Sequence, residues 1–256
     1  MKQITLSIVL VVFVLIGCNL ETVEREQHVE LEASQIEKLV IDHDEGDVTL
    51  VVNENASLIE VEATFSAIST DEELAKSFLE RNLSLSLEES DEGALLKTSV
   101  KRIANETEEG NVHLAIAIPA HIQVELKHNE GNLHIQGLQA DIAIQHGTDN
   151  VTLENIEANV TVTDGAGNVL LQNVTGETSI NNATGDTIVA NSSGQISITN
   201  GKGAIQIDNY SGMVAVRNGS GEISIDTVDG DVTVIESAQG EVKIENVSGE
   251  VTRTNE

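Results

Sequence analysis

The stretch GQISITNGKGAIQIDNYSG, residues 194–212, holds two copies of one pattern. Each copy opens on a glycine (Gly194, Gly203), continues through a polar or small residue, and places isoleucines two apart (Ile196 and Ile198, Ile205 and Ile207). Alternation by two puts both isoleucines on one face of a strand. The glycine supplies a turn, because positive φ is cheap for Gly and costly for most other residues. About five residues of strand and four of turn leave no room for a crossover helix. The pattern therefore predicts stacked coils of a parallel β-solenoid.

Working outward, glycines recur every nine residues at Gly167, Gly176, Gly185, Gly194, Gly203, Gly212, Gly221 and Gly230. After one inserted residue they resume at Gly240 and Gly249. With glycine as position one, position eight reads Leu138, Gly147, Ile156, Gly165, Val174, Ala183, Ser192, Gly201, Tyr210, Gly219, Val228. Large and tiny residues alternate, with Ser192 small for a large site. The repeat is thus an 18-residue coil of two strands. One edge is plugged by a larger side chain and the other is tight. Position seven holds Asn155, Asn173, Asn191, Asn209, Thr227 and Asn246 on the plugged edge. On the tight edge it holds His128, His146, Asp164, Asn182, Asn200 and Asn218. Stacked at about 4.8 Å, these residues are expected to form a turn ladder that pins coil register. Arg253 replaces an apolar residue in the last coil and is expected to blunt the open end against edge pairing.

The repeats begin near residue 122, after the only proline, Pro119. Residues 36–121 read as a small β-rich head. One short helix is expected there over 71–81, capped by Ser69 or Thr70, with an apolar stripe of Leu74, Phe78 and Leu79. Residues 18–35 are acidic and polar and read as a solvated tether. Residues 1–17 carry Lys2, an apolar run and Gly17 before Cys18, the pattern of an export signal. Leu15-Ile16-Gly17-Cys18 resembles the lipobox of bacterial lipoproteins, which implies lipidation of Cys18. The expected location is extracytoplasmic, lipid-anchored to a bacterial membrane. Cys18 is the sole cysteine, so no internal disulfide is possible.

Composition excludes several functions. With 13 Lys plus Arg against 43 Asp plus Glu, the formal charge is −30. Nucleic acid and anionic bilayers are poor partners for such a chain. A cationic peptide or an envelope or cell-surface protein fits better. Aromatics are scarce, with one Tyr and three Phe, which weakens a lectin reading. Calcium β-rolls need an Asp in each turn, and that column is missing. His128, His146 and Asp164 share a column and are the candidate metal ligands, although a solvated turn column explains them more simply. The Thr-X-Thr of an ice-binding face occurs once, at Thr161 to Thr163. A polysaccharide-active β-helix enzyme would gather carboxylates beside a basic residue or metal, and the five cations of the repeats form no column. No cofactor is expected.

Gly-Asp/Glu-Val/Ile-X-Val/Ile units at Gly46-Asp47-Val48, Gly221-Glu222-Ile223, Gly230-Asp231-Val232 and Gly240-Glu241-Val242, with Ile118-Pro119 before the repeats, resemble the bacterial "putative adhesin" β-strand-repeat family. The resemblance implies an all-β repeat fold and no catalytic residues. It also implies surface adhesion or envelope-stress sensing. The sequence thus predicts a non-enzymatic envelope lipoprotein displaying a rigid acidic solenoid, with a sensor or binding module as the rival.

Overall fold

Val and Ile at positions three and five bury one face of each short strand, and those strands pair eighteen residues apart. In the computed structural model Ile142 lies beside Val160, Val160 beside Thr178, Thr178 beside Ile196 and Ile196 beside Val214, all in parallel register. Described are residues 7–9, 20–102, 107–237 and 239–254. Cys18 and most of the expected leader lie outside them. Within the leader only β1 (Ser7–Val9) is described, antiparallel to β2 (Glu21–Glu32).

The chain divides into two units, one spanning residues up to Ile122 plus Lys127–Gly131, the other Gln123–Leu126 plus everything from Asn132. The expected boundary at residue 122 is therefore interleaved. In the first unit β2 pairs antiparallel with β5 (Leu58–Ser69) over twelve residue pairs. This corrects the expected tether: Val23, Val29 and Leu31 are buried along β2, an alternation hidden among its acids. Strand β5 also pairs antiparallel with β8 (Glu109–Ile118). β3 (Lys38–Glu45) and β4 (Val48–Val52) pair in parallel with β7 (Gly93–Val100) and β8 respectively, and β6 (Leu83–Ser90) pairs antiparallel with β7.

Helix α1 (Glu72–Asn82) is the single helix among the described residues. Its cap is Asp71, whose Oδ1 accepts from the N–H groups of Glu73 at 3.0 Å and Leu74 at 3.1 Å. An aspartate is as good a cap as the expected Ser69 or Thr70, and here it sits one residue closer. Ala75, Phe78 and Leu79 are buried, whereas Leu74, expected in the apolar stripe, is 49% exposed.

After β9 (Gln123–Glu130), in the second unit β10 (Leu133–Gln136), β12 (Val151–Glu157) and β14 (Val169–Thr175) lead into the first half of β16 (Thr187–Lys202). That face continues through the first half of β17 (Ile205–Ser220), β18 (Ile223–Asp229) and β20 (Val242–Val247). The other face holds β11 (Ile142–Thr148), β13 (Val160–Ala166), β15 (Thr178–Thr184), the second halves of β16 and β17, β19 (Val232–Ser237) and β21 (Val251–Arg253). The fold is the expected two-strand, 18-residue parallel solenoid of about seven turns. Each fully buried Val or Ile stabilises it by roughly 1.5–3 kcal/mol. The inserted residue is Ile235: register holds at Val216 beside Val234 and shifts to Arg217 beside Glu236. β16 and β17 run sixteen residues each because pairing persists around the plugged edge, through Ser192 beside Tyr210 and Gly194 beside Gly212.

Candidate functional site

The position-seven residues split into two different structures. On the plugged edge Asn155, Asn173, Asn191, Asn209, Thr227 and Asn246 all have φ of 51 to 55° and are exposed. Asparagine tolerates this left-handed conformation because its short amide bonds locally. The amides form part of a ladder: Asn173 Nδ2 donates to Asn155 Oδ1 at 2.9 Å, and Asn209 Nδ2 to Asn191 Oδ1 at 2.7 Å. Asn246 instead donates to Asp226 Oδ1 at 2.7 Å, since Thr227 below it offers no amide oxygen. A β-branched residue at φ 55° is strained. Thr227→Asn is therefore expected to stabilise the fold by about 1 kcal/mol. The midpoint of urea unfolding checks this, and an unmoved midpoint would show that the neighbouring coils absorb the strain.

On the tight edge the position-seven side chains point inward. His146, Asp164, Asn182, Asn200 and Asn218 are all buried. Asn182 Nδ2 donates to Gly167 O at 3.1 Å while its Oδ1 accepts from Thr184 N–H at 3.1 Å. Asn218 Nδ2 donates to Gly203 O at 3.0 Å and to Gly221 O at 3.2 Å. These asparagines tie each turn to the turn carbonyl of the coil before, and Asn218 also to its own turn, rather than forming the expected amide-to-amide ladder. The repeat glycines Gly167, Gly176, Gly185, Gly194, Gly203, Gly212, Gly221, Gly230 and Gly240 have φ between 121 and 156°. Gly249, at the last turn, is not among the positive-φ glycines.

A further ladder between coils runs at position two. Asn150 Oδ1 accepts from Asn168 N–H at 3.1 Å, Asn168 Oδ1 from Asp186 N–H at 2.9 Å, and Asp186 Oδ1 from Ala204 N–H at 2.8 Å. The other edge repeats this, with Asn159 N–H on Asp141 Oδ1 and Glu177 N–H on Asn159 Oδ1, both at 3.1 Å. Its signal was the recurrence of Asn or Asp at position two, after Gly167 and Gly185 and likewise after Ala140, Asp149 and Ala158.

Of the candidate metal ligands, the structure brings His146 and Asp164 together: Nδ1 donates to Oδ1 at 2.6 Å, and both side chains are fully buried. Asp164 Oδ2 has no partner. His128 belongs to the first unit, where it meets a residue that the sequence reading missed, His43. Among the described residues, no group of three or more His, Cys, Asp or Glu side chains is placed to hold a metal ion.

His43 and His128 are buried with ring centroids 4.8 Å apart. Both Nε2 atoms donate to Gly46 O, at 2.9 and 2.8 Å. His43 Nδ1 then accepts from the Thr98 hydroxyl at 2.7 Å, and Thr98 Oγ1 accepts from Asp44 N–H at 3.2 Å. The signal was present: His43 stands three before Gly46 as His128 stands three before Gly131 and Asn182 three before Gly185. Burial pushes the His43 imidazole down from 6.5 to about 4, against the raising effects of the Gly46 carbonyl, Asp44 and Asp42 and with a further lowering from His113. The unfolded chain therefore takes up this proton first. Stability from His43 is complete above pH 6.5 and declines as pH falls toward 4, by up to about 3 kcal/mol. Unfolding midpoints between pH 7 and pH 4 should fall less steeply for His43→Gln than for the native chain. Equal slopes would place the acid sensitivity elsewhere.

The described residues include no helix long and apolar enough to cross a membrane. A comparison with curated proteins gave no match. Among solved structures, one described as a "putative cell adhesion protein" from Clostridium sporogenes is 13% identical, covers 91% of this chain and 100% of its own, and has a TM-score of 0.33. A "putative adhesin" from Bacteroides fragilis is 10% identical, covers 91% and 97%, and has a TM-score of 0.43. A family profile described as "Toastrack DUF4097" matches residues 36–255, which takes in the head from Ile36 and every repeat glycine. The coils, the glycine turns and the preceding β-rich head thus lie within one matched domain, and the chain belongs to the Toastrack DUF4097 family.

Proposed function

We propose that this chain is a non-enzymatic, lipid-anchored extracytoplasmic protein whose solenoid makes surface contacts in adhesion or envelope structure. The observation that carries this reading is the outer face of β13, β15 and the second half of β16. Strand register sets Thr161, Ser179 and Ser197 in one row and Thr163, Asn181 and Thr199 in the next, all exposed. A flat face free of charge on a chain of formal charge −30 can approach another surface without the repulsion of the acidic edges. The Leu15–Cys18 lipobox supports anchoring.

Attachment of cells with and without the gene tests the role, and unchanged attachment of the deletion strain removes it. Lipid labelling of Cys18→Ala tests the anchor, and retained label removes that part alone. A second reading, a binding module for a cationic peptide, is favoured by the outward acids Asp208, Asp226 and Glu245 on successive coils of the opposite face. Salt-sensitive binding of a polylysine peptide would support it.

A further inference from the structure

The plugged edge is not uniform along the solenoid. Over the coils from Asn191 to Ser248 it opens into a hollow of about 460 Å³. One wall is the row of left-handed turn residues from Asn191 to Asn246, and the other is Ser193, Ser211, Asp229 and Ser248. Earlier on this edge the corresponding second wall carries Glu157 and Thr175, so the change to serine lowers the lip where the hollow lies. Tyr210 lies in the floor, 2% exposed, and its hydroxyl has no partner in the chain. Burial pushes that hydroxyl up to about 12, so it remains a donor at neutral pH.

The lining decides what could bind. No lysine or arginine borders the hollow, and Asp229 repels anions, so phosphates and acidic sugars are excluded. The walls are amide and hydroxyl, so an apolar ligand gains little. Within the walls Asn209 donates to Asn191, and Ser248 Oγ donates to Asp229 Oδ1 at 2.8 Å. Asn209 Oδ1, Ser211 Oγ and Asp229 Oδ2 remain exposed without a partner in the chain. Amides and hydroxyls that offer donors and acceptors side by side match the paired hydroxyls of a sugar.

We propose that this hollow binds a segment of a neutral glycan whose hydroxyls hydrogen-bond to Asn209 Oδ1, Ser211 Oγ and Asp229 Oδ2. With Tyr210 too buried to stack, affinity rests on hydrogen bonds alone and is about millimolar, useful where many copies act together. The site does not depend on the adhesive role. Unchanged attachment of the deletion strain with sugar binding intact would sink that role and leave the hollow standing.

The test is an NMR titration of the full chain with neutral glucan, mannan and galactan hexamers and with a galacturonan hexamer. At least one neutral hexamer is expected to shift the side-chain amides of Asn191 and Asn209. Ser211→Phe, which fills the hollow, should weaken binding by about tenfold or more, as should Asp229→Ala, which leaves the backbone undisturbed. Gln206→Phe, on a strand face, should bind as the native chain does. The proposal is overturned if no neutral hexamer shifts those amides up to about 10 mM. It is equally overturned if galacturonan binds as well, or if both hollow variants bind normally.

Discussion

Gly212→Ala is expected to destabilise the chain by about 3 kcal/mol or more, among the largest effects a single methyl group can have here. Gly212 has φ of 133°, a conformation essentially closed to side-chain-bearing residues. Independently, a Cβ at this position would run into the carbonyl oxygen of Gly194 on the preceding coil. That oxygen is backbone in a paired strand, so it can move only if the coil moves. The entropy lost from the unfolded chain offsets at most about 1 kcal/mol. Urea unfolding of the full chain would measure the cost, with Gln206→Ala, an exposed change on the same coil, as the near-neutral control. A cost below about 1 kcal/mol would show that the coils slide more easily than their close packing implies.

The second large effect is expected at the buried pair. His146→Ala removes the only donor to Asp164 and leaves an uncompensated carboxylate inside the solenoid, at a cost of about 3–5 kcal/mol. Replacing both residues by asparagine should recover most of that loss. Asn182 shows how an amide is satisfied in this column: Nδ2 donates to a turn carbonyl of the coil before and Oδ1 accepts from Thr184 N–H. The cycle of both single variants and the double variant separates pair loss from simple truncation. If the double variant is as unstable as His146→Ala, the pair does more than stand in for the amides.

The solenoid was legible because its two signals, apolar alternation and glycine spacing, are both local and repeat without competition. Alternation of Leu138, Ile156, Val174 and Val228 with Gly147, Gly165, Gly201 and Gly219 was enough to count strands per coil. The head was less legible. In β2 three buried apolar residues are outnumbered by acids that face outward on the same strand, so composition pointed to a tether. The turn asparagines were read as one class because their spacing is identical on both edges. Only the backbone separates them: φ near 52° turns Asn191 and Asn209 outward, while Asn182 and Asn200 face in. His43 was missed for a different reason. It occupies the same place before a glycine as His128, but a single unit in the head has no neighbouring repeat to announce it. The hollow depends on serines at Ser193, Ser211 and Ser248 flanking Asp229 across four coils, a coincidence of distant positions that no local pattern displays.

The hydrogen bonds between coils all run along the stacking direction. A pull in that direction loads them one coil at a time, like the teeth of a zip, rather than all together as in a sheared sheet. The coil that holds Val251, which is 43% exposed, is the first to give way. Each coil that opens releases eighteen residues, about 60 Å of chain. Stretched by its ends, the solenoid would lengthen in equal small steps at low force and recoil in the same steps, a shock absorber whose stroke is set by the number of its coils.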